Sequence, residues 1–125
     1  MWSTRLISDN GLRRAGDGFR LDIRFPWYRS LPLSVLRGLD LKLDDQSVPA
    51  ADMKLEVNGK RFALDDLEHR VDDWWHVLDD GHLVVDHHPL AAGSEHKVDL
   101  TFTFEIPYVA NAVVPSRCVK TLAAA

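Results

Sequence analysis

Val98-Asp99-Leu100-Thr101-Phe102-Thr103-Phe104-Glu105-Ile106 decides the fold. Val98, Leu100, Phe102, Phe104 and Ile106 take every second position, and Asp99, Thr101, Thr103 and Glu105 fill the gaps. Successive side chains of a strand point to opposite faces, so this run has one face for a core and one for water. One-sided alternation belongs to antiparallel sheets, because parallel strands are buried on both faces and read as unbroken apolar runs. The same pattern recurs upstream. Phe19, Leu21, Ile23 and Phe25 alternate with Arg20, Asp22 and Arg24; Leu39, Leu41 and Leu43 with Asp40, Lys42 and Asp44; Leu55 and Val57 with Lys54 and Glu56.

Turn residues separate these runs. Asn58-Gly59 suits the positive-φ positions of a type I′ hairpin. Asp44-Asp45 is placed to turn the chain toward Gln46-Ser47-Val48, and Ala91-Ala92-Gly93-Ser94 precedes the longest strand. Asp79-Asp80-Gly81 reads as a turn between Trp74–Val77 and His82–Val85. Helical candidates are limited to turns near Leu64–Glu68 and Pro49–Met53, whereas an α/β fold needs long helices between its strands. The predicted fold is all-β: an antiparallel, jelly-roll-like β-sandwich with at most short helical turns.

Residues 1–122 are expected to form one domain with its core at about 19–108. Trp2–Ser8 is an expected edge strand. After Pro107 the alternation decays, and 109–122 reads as an apolar arm that packs on something. Ala123-Ala124-Ala125 stands open between native sequence and the remnant of a vector junction.

Composition bounds the function. At 125 residues the chain can bury a core without staples, and its single cysteine, Cys118, excludes an internal disulfide framework and a cysteine-based zinc site. The net charge of −4 with scattered Lys and Arg offers no basic patch for nucleic acid. No apolar stretch approaches a membrane span and Met1–Arg5 does not begin a signal peptide, so a cytoplasmic location is expected.

Few residues promise chemistry. All six histidines lie in His69–His96, and His82, Asp86 and His88 share a parity that would put three metal-ligand types on one face of a straight strand. Pro89 limits that strand and no ligand motif is present, so solvated or capping histidines are the favoured reading. Asp65-Asp66, Asp72-Asp73 and Asp79-Asp80 are expected to serve the backbone, because adjacent strand residues face opposite ways. Cys118 has no base or positive charge arranged around it in sequence. Trp74-Trp75 offers one ring to a core and one to solvent, where it could stack on a sugar or anchor an interface; a twisted edge burying both is the alternative.

The least regular segment follows the strand that starts at Phe19. Pro26-Trp27-Tyr28-Arg29-Ser30-Leu31-Pro32-Leu33 abandons alternation, and its two prolines stiffen it. Trp, Tyr and Arg are enriched at interface hot spots, so the loop reads as a partner contact, with a fold-back over its own core as the alternative.

At this point the chain resembles a known family. IRFPWYRSLPLSVL (23–36), LDLKLDDQSVP (39–49), LEVNGKRFALDDLE (55–68) and DDWWHV (72–77) are similar to the small (beta) subunit of bacterial C-glycoside deglycosidases. The similarity runs from about Phe19 to Tyr108. Trp27 and Ser30 replace a Tyr and a Gly of the family's Pro-Tyr-Tyr-Arg-Gly-Leu-Pro-Leu-Ser piece, and Asp44-Asp45-Gln46 stands where Val-Asp-Gly is common. The resemblance implies a hetero-oligomer of this β-sandwich with a TIM-barrel alpha subunit that carries catalysis. The implied substrates are 3-oxo-C-glycosides of flavonoid or anthraquinone aglycones. A base on the partner removes the acidified C2 proton, a divalent metal on the partner, manganese, stabilises the enolate, and the aryl carbon leaves C1. No catalytic residue, metal or other cofactor is expected in this chain. Pro26–Leu33 is expected to pack against the partner near its active site, with Tyr28 and Arg29 nearest the site and Trp27, Leu31 and Leu33 as packing. Two other readings are a stand-alone carbohydrate-binding module using Trp74 and Trp75, and a cupin-like metalloenzyme using His82, Asp86 and His88.

Overall fold

The computed structural model describes residues 6–24, 31–70, 72–75, 80–105 and 113–125. Strands β1 (Ile7–Ala15), β2 (Gly18–Arg24), β9 (Asp80–Val85), β6 (Met53–Val57) and β7 (Lys60–Ala63) form one sheet in the order β1-β2-β9-β6-β7. The second sheet has the order β11-β10-β4-β5, from β11 (Val113–Ala123), β10 (Glu95–Glu105), β4 (Leu36–Leu43) and β5 (Gln46–Ser47). A short ribbon pairs β3 (Leu31–Pro32) with β8 (Trp74–Trp75) outside both sheets. Every pairing is antiparallel. Helical structure among the described residues is confined to 3-10 turns at Leu33–Val35, Ala50–Asp52 and Leu64–His69. The chain is thus an all-β sandwich, as its alternation requires.

The apolar parity of each strand faces inward. Phe19, Leu21 and Ile23 of β2, Leu55 and Val57 of β6, and Leu83 and Val85 of β9 meet Leu39 and Leu41 of β4 and Val98, Leu100, Phe102 and Phe104 of β10. Burying side chains of this size is worth about 1.5–3 kcal/mol each. Trp75 lies edge-on to Phe102 at 5.7 Å and Phe102 edge-on to Phe104 at 6.0 Å, which stacks three rings through the core. The Asn58-Gly59 turn has φ values of 58° and 75°, and Asp44-Asp45 has 52° and 67°, so both close their hairpins in the left-handed region.

Several expectations are revised. The expected edge strand Trp2–Ser8 lies outside the described residues up to residue 5; β1, at the end of its sheet, takes in Ile7-Ser8 and runs on to Ala15, its course hidden in the sequence by a register shift between Ile7 and Leu12 with Asn10 at φ 56°. Asp80-Gly81 belongs to β9 instead of a turn. A Cβ on Gly81 would stand 2.6 Å from the Trp75 ring, so the glycine is there to admit the indole. The stretch 113–123 is no arm: it pairs residue for residue with β10 from Val113↔Glu105 to Ala123↔Glu95. Pro115 lies on β11, the end strand of its sheet among the described residues, the place where a strand proline is found. The alanine tail is built in. Ala124 is buried and exchanges hydrogen bonds with Ser94 O and the Gly93 N–H, while Ala125 bonds Leu12 O and the Arg14 N–H of β1. The core therefore extends past 19–108 on both sides, from Leu6 to Ala124.

Candidate functional site

The β3–β8 ribbon sits at one end of the sandwich and is held by the chain around it. The Leu33 N–H donates to Asp73 O at 2.7 Å and the Ser34 N–H to Arg70 O at 3.1 Å. Asn58 Nδ2, at the tip of the β6–β7 hairpin, donates to Trp74 O at 2.7 Å, and Lys60 pairs with Asp73 at 3.2 Å. Leu31 and Trp75 are register partners and point into the core, with Leu33 buried beside them. Pro32 and Trp74 are the opposite pair, and Trp74 is 43% exposed. The two adjacent tryptophans therefore part company: one is a core ring and one faces solvent. A stacking platform of both rings is not formed, because Trp75 is spent inside.

Of the proline-bracketed loop, Pro26, Trp27, Tyr28, Arg29 and Ser30 lie outside the described residues. Leu31 and Leu33 are packed into their own core, and Pro32 is half-buried. Those two leucines are thus committed before any partner arrives.

The histidines are parted in the same way. His82 Nδ1 is 2.6 Å from Asp22, His88 Nε2 is 3.2 Å from Asp52, His87 Nδ1 is 3.2 Å from Asp17 and His96 Nδ1 is 2.7 Å from Asp44. Four imidazoles meet four different carboxylates. His82, Asp86 and His88 do not share a face, because β9 ends at Val85 and His87 turns the chain with a φ of 66°. Among the described residues no three His, Cys, Asp or Glu side chains group so as to hold a metal ion. His82, Asp86 and His88 therefore do not form the ligand set that their parity suggested.

One relay has the connectivity of an acyl-transfer triad. His96 Nε2 is 2.7 Å from Ser94 Oγ while its Nδ1 faces Asp44, beside a cleft of about 450 Å³ lined by Leu43, Val48, His88 and Leu90. However, Ser94 Oγ donates to Ala91 O at 2.6 Å. The Gly93 and Ser94 amides are also used, by Ala124 O and Ala91 O. Hydroxyl and amide donors are both committed, so the relay ties the start of β10 to the β4–β5 turn. Lys97 helps, its N–H on Asp44 Oδ1 at 3.0 Å. The hydrogen bond from His96, then that from the Lys97 amide, holds the Asp44 carboxyl below its ordinary range.

The Asp-Asp pairs also act singly. Asp66 binds Arg70 and Asp73 binds Lys60, while Asp79 lies outside the described residues. Cys118 is buried on the inner face of β11 opposite Leu100. On the outer face of the first sheet Asp22 takes two bonds from Arg13 at 2.6 and 2.7 Å as well as His82, and Glu56 is shared by Arg20 and Arg61. The Arg61 hydrogen bond is the larger reason that Glu56 is held below its ordinary range.

On the other sheet Arg117 grips Asp99 with two bonds at 2.9 and 2.7 Å. Asp99 is 8% exposed, and this grip holds its carboxyl below the ordinary range against the opposing effect of burial. A depressed carboxyl stabilises the fold above its unfolded pKa, and that contribution is lost as pH falls through the folded value. Asp99→Asn should therefore destabilise the domain by about 1–3 kcal/mol at neutral pH. The deficit should shrink toward acid, read as converging urea midpoints of variant and parent. The Arg117–Asp99 and His82–Asp22 pairs had no signal in the sequence, since their members lie 18 and 60 residues apart.

What emerges is an all-β sandwich with a closed core, pairwise charge clamps, no convergent catalytic set among the described residues, and Trp74 as the one aromatic left exposed among them. The family described as C-glycoside deglycosidase beta subunit matches residues 3–108. A C-glycoside deglycosidase beta subunit of Microbacterium trichothecenolyticum is 36% identical over 105 residues, covering 84% of this chain and 79% of its own. A 3'-dehydrocarminate deglycosidase beta subunit of a Microbacterium species is 35% identical over 121 residues, covering 97% and 91%. A C-glycoside deglycosidase beta subunit of Arthrobacter globiformis is 28% identical over 109 residues, 87% and 83%. The chain belongs to the C-glycoside deglycosidase beta-subunit family.

Proposed function

We propose that this chain is the small, non-catalytic subunit of a hetero-oligomer that breaks the carbon–carbon bond between sugar and aglycone in 3-oxo-C-glycosides. Membership in the beta-subunit family is the observation that carries it. The relative named for 3'-dehydrocarminate supports an oxidised sugar as the substrate class. A carbonyl at C3 acidifies the C2 proton; a base on the TIM-barrel alpha subunit removes it and the aryl carbon departs from C1. The divalent metal of that chemistry, manganese, is assigned to the partner, since His82, His87, His88 and His96 here are each paired with a separate carboxylate. This chain supports the partner's shape in a bacterial cytoplasmic complex, with residues 26–30 contributing to the contact and Tyr28 and Arg29 nearest the substrate, while Leu31 and Leu33 anchor the loop in this chain's own core.

Co-expression with a sugar-isomerase-like barrel as the alpha subunit tests the reading. The purified pair should release free aglycone from a 3-oxo-C-glycoside, and removing this chain should lower the rate at least about tenfold, or about 1.4 kcal/mol of barrier. Full activity of the barrel alone, or cleavage by this chain alone, would refute it.

A further inference from the structure

We propose that Trp74 anchors the docking of the catalytic subunit on the β3–β8 end of the sandwich. The inference rests on the subunit reading above and adds where the contact is made. Trp74 and Val113 are the only large apolar side chains left exposed among the described residues. A tryptophan offers some 150–250 Å² of apolar area and is the residue type most favoured as an interface hot spot.

Its setting is built to present it. Trp75 is locked in the core against Phe102 and over Gly81, so the strand cannot rotate to bury Trp74 instead. The Trp74 carbonyl is clamped by Asn58, and Pro32 stands opposite it on the same face of the ribbon. A side chain on a backbone fixed at both residues loses little further freedom when it is covered, which favours affinity. The ribbon also belongs to neither main sheet, so covering it disturbs no ladder. The occupant is the catalytic subunit because this family is one of beta subunits, and a beta subunit has a partner by definition. A sugar ring or a second copy of this chain would need the same indole, and both are outcomes of the test.

Binding of the purified catalytic subunit is measured by calorimetry for the parent chain, Trp74→Ala, Trp74→Phe and Thr121→Ala, the last an exposed position on the outer face of β11. Trp74→Ala should weaken binding at least about 30-fold, the hot-spot range, with Trp74→Phe recovering part and Thr121→Ala matching the parent. Parent-like affinity for Trp74→Ala would overturn the proposal while leaving the subunit reading intact. No binding by the parent would instead overturn the subunit reading. If Trp74→Ala lowers the thermal midpoint, Trp74→Glu, whose charge stays solvated on the free subunit, is read by the same criterion. Two further results would overturn it: a Trp74-dependent dimer of this chain alone by light scattering, or Trp74-dependent binding of a simple methyl glycoside.

Discussion

Trp75→Ala will lower the stability of the domain by about 3–5 kcal/mol, measured as a fall in urea midpoint with little change in slope. The indole is 1% exposed, edge-on to Phe102, and reaches across to Gly81. Removing it deletes a large apolar group and leaves a cavity walled by strands of both sheets, which cannot collapse without breaking their ladders. A domain of this size has roughly 5–15 kcal/mol in total, so the loss is a large share. The neighbouring Trp74→Ala should leave stability nearly unchanged, because that ring touches water. Gly81→Ala should be damaging in the parent, where its Cβ would meet the Trp75 ring at 2.6 Å, and much less so in the Trp75→Ala background.

The second large effect is at Gly18. A Cβ there would stand 1.7 Å from Val85 O and 2.8 Å from its carbonyl carbon, both backbone atoms of the adjacent β9. No rotamer change relieves a clash with backbone, so β2 and β9 must separate. Gly18→Ala is expected to cost about 3 kcal/mol or more and to broaden or abolish the cooperative transition. Gly16→Ala is the useful comparison. That residue has a positive φ of 57° but open space around its Cβ, so its effect should stay near the 1 kcal/mol of left-handed strain.

These two positions also show what sequence reading could reach. Wherever a strand ran straight, as in β2, β4, β6 and β10, alternation named its inward residues, and Asn58-Gly59 named its hairpin. The failures share a cause: a residue chosen for a contact distant in sequence breaks a local pattern. Gly81 looks like a turn residue because the indole it admits is six positions away in the sequence. Lys120 and Ser116 face inward on β11 and so spoil its apolar parity. The Lys120 ammonium reaches Ile7 O at 2.6 Å and Asp9 at 2.9 Å on β1, and its bond and charge hold Asp9 below the ordinary range. Asn10 bulges β1 and hides it. The candidate site was legible only in part. Alternation implied that Trp74 and Trp75 would face opposite ways, but not which would be buried. The histidines kept their interest until four separate aspartates were seen to hold them.

The pairing of the last strand has a consequence for how the subunit is made. β11 contributes the edge of one sheet, its Lys120 reaches β1 of the other, and Ala125 bonds β1 directly. The first and last strands thus close the sandwich together, along with a β10 that is itself late. A ribosome must finish residues 113–125 before the first sheet has its lateral support. Contacts so distant along the chain favour slow folding. A chain arrested before residue 113 lacks the strand that pairs along β10, and the open edge this leaves is a template for pairing with other chains.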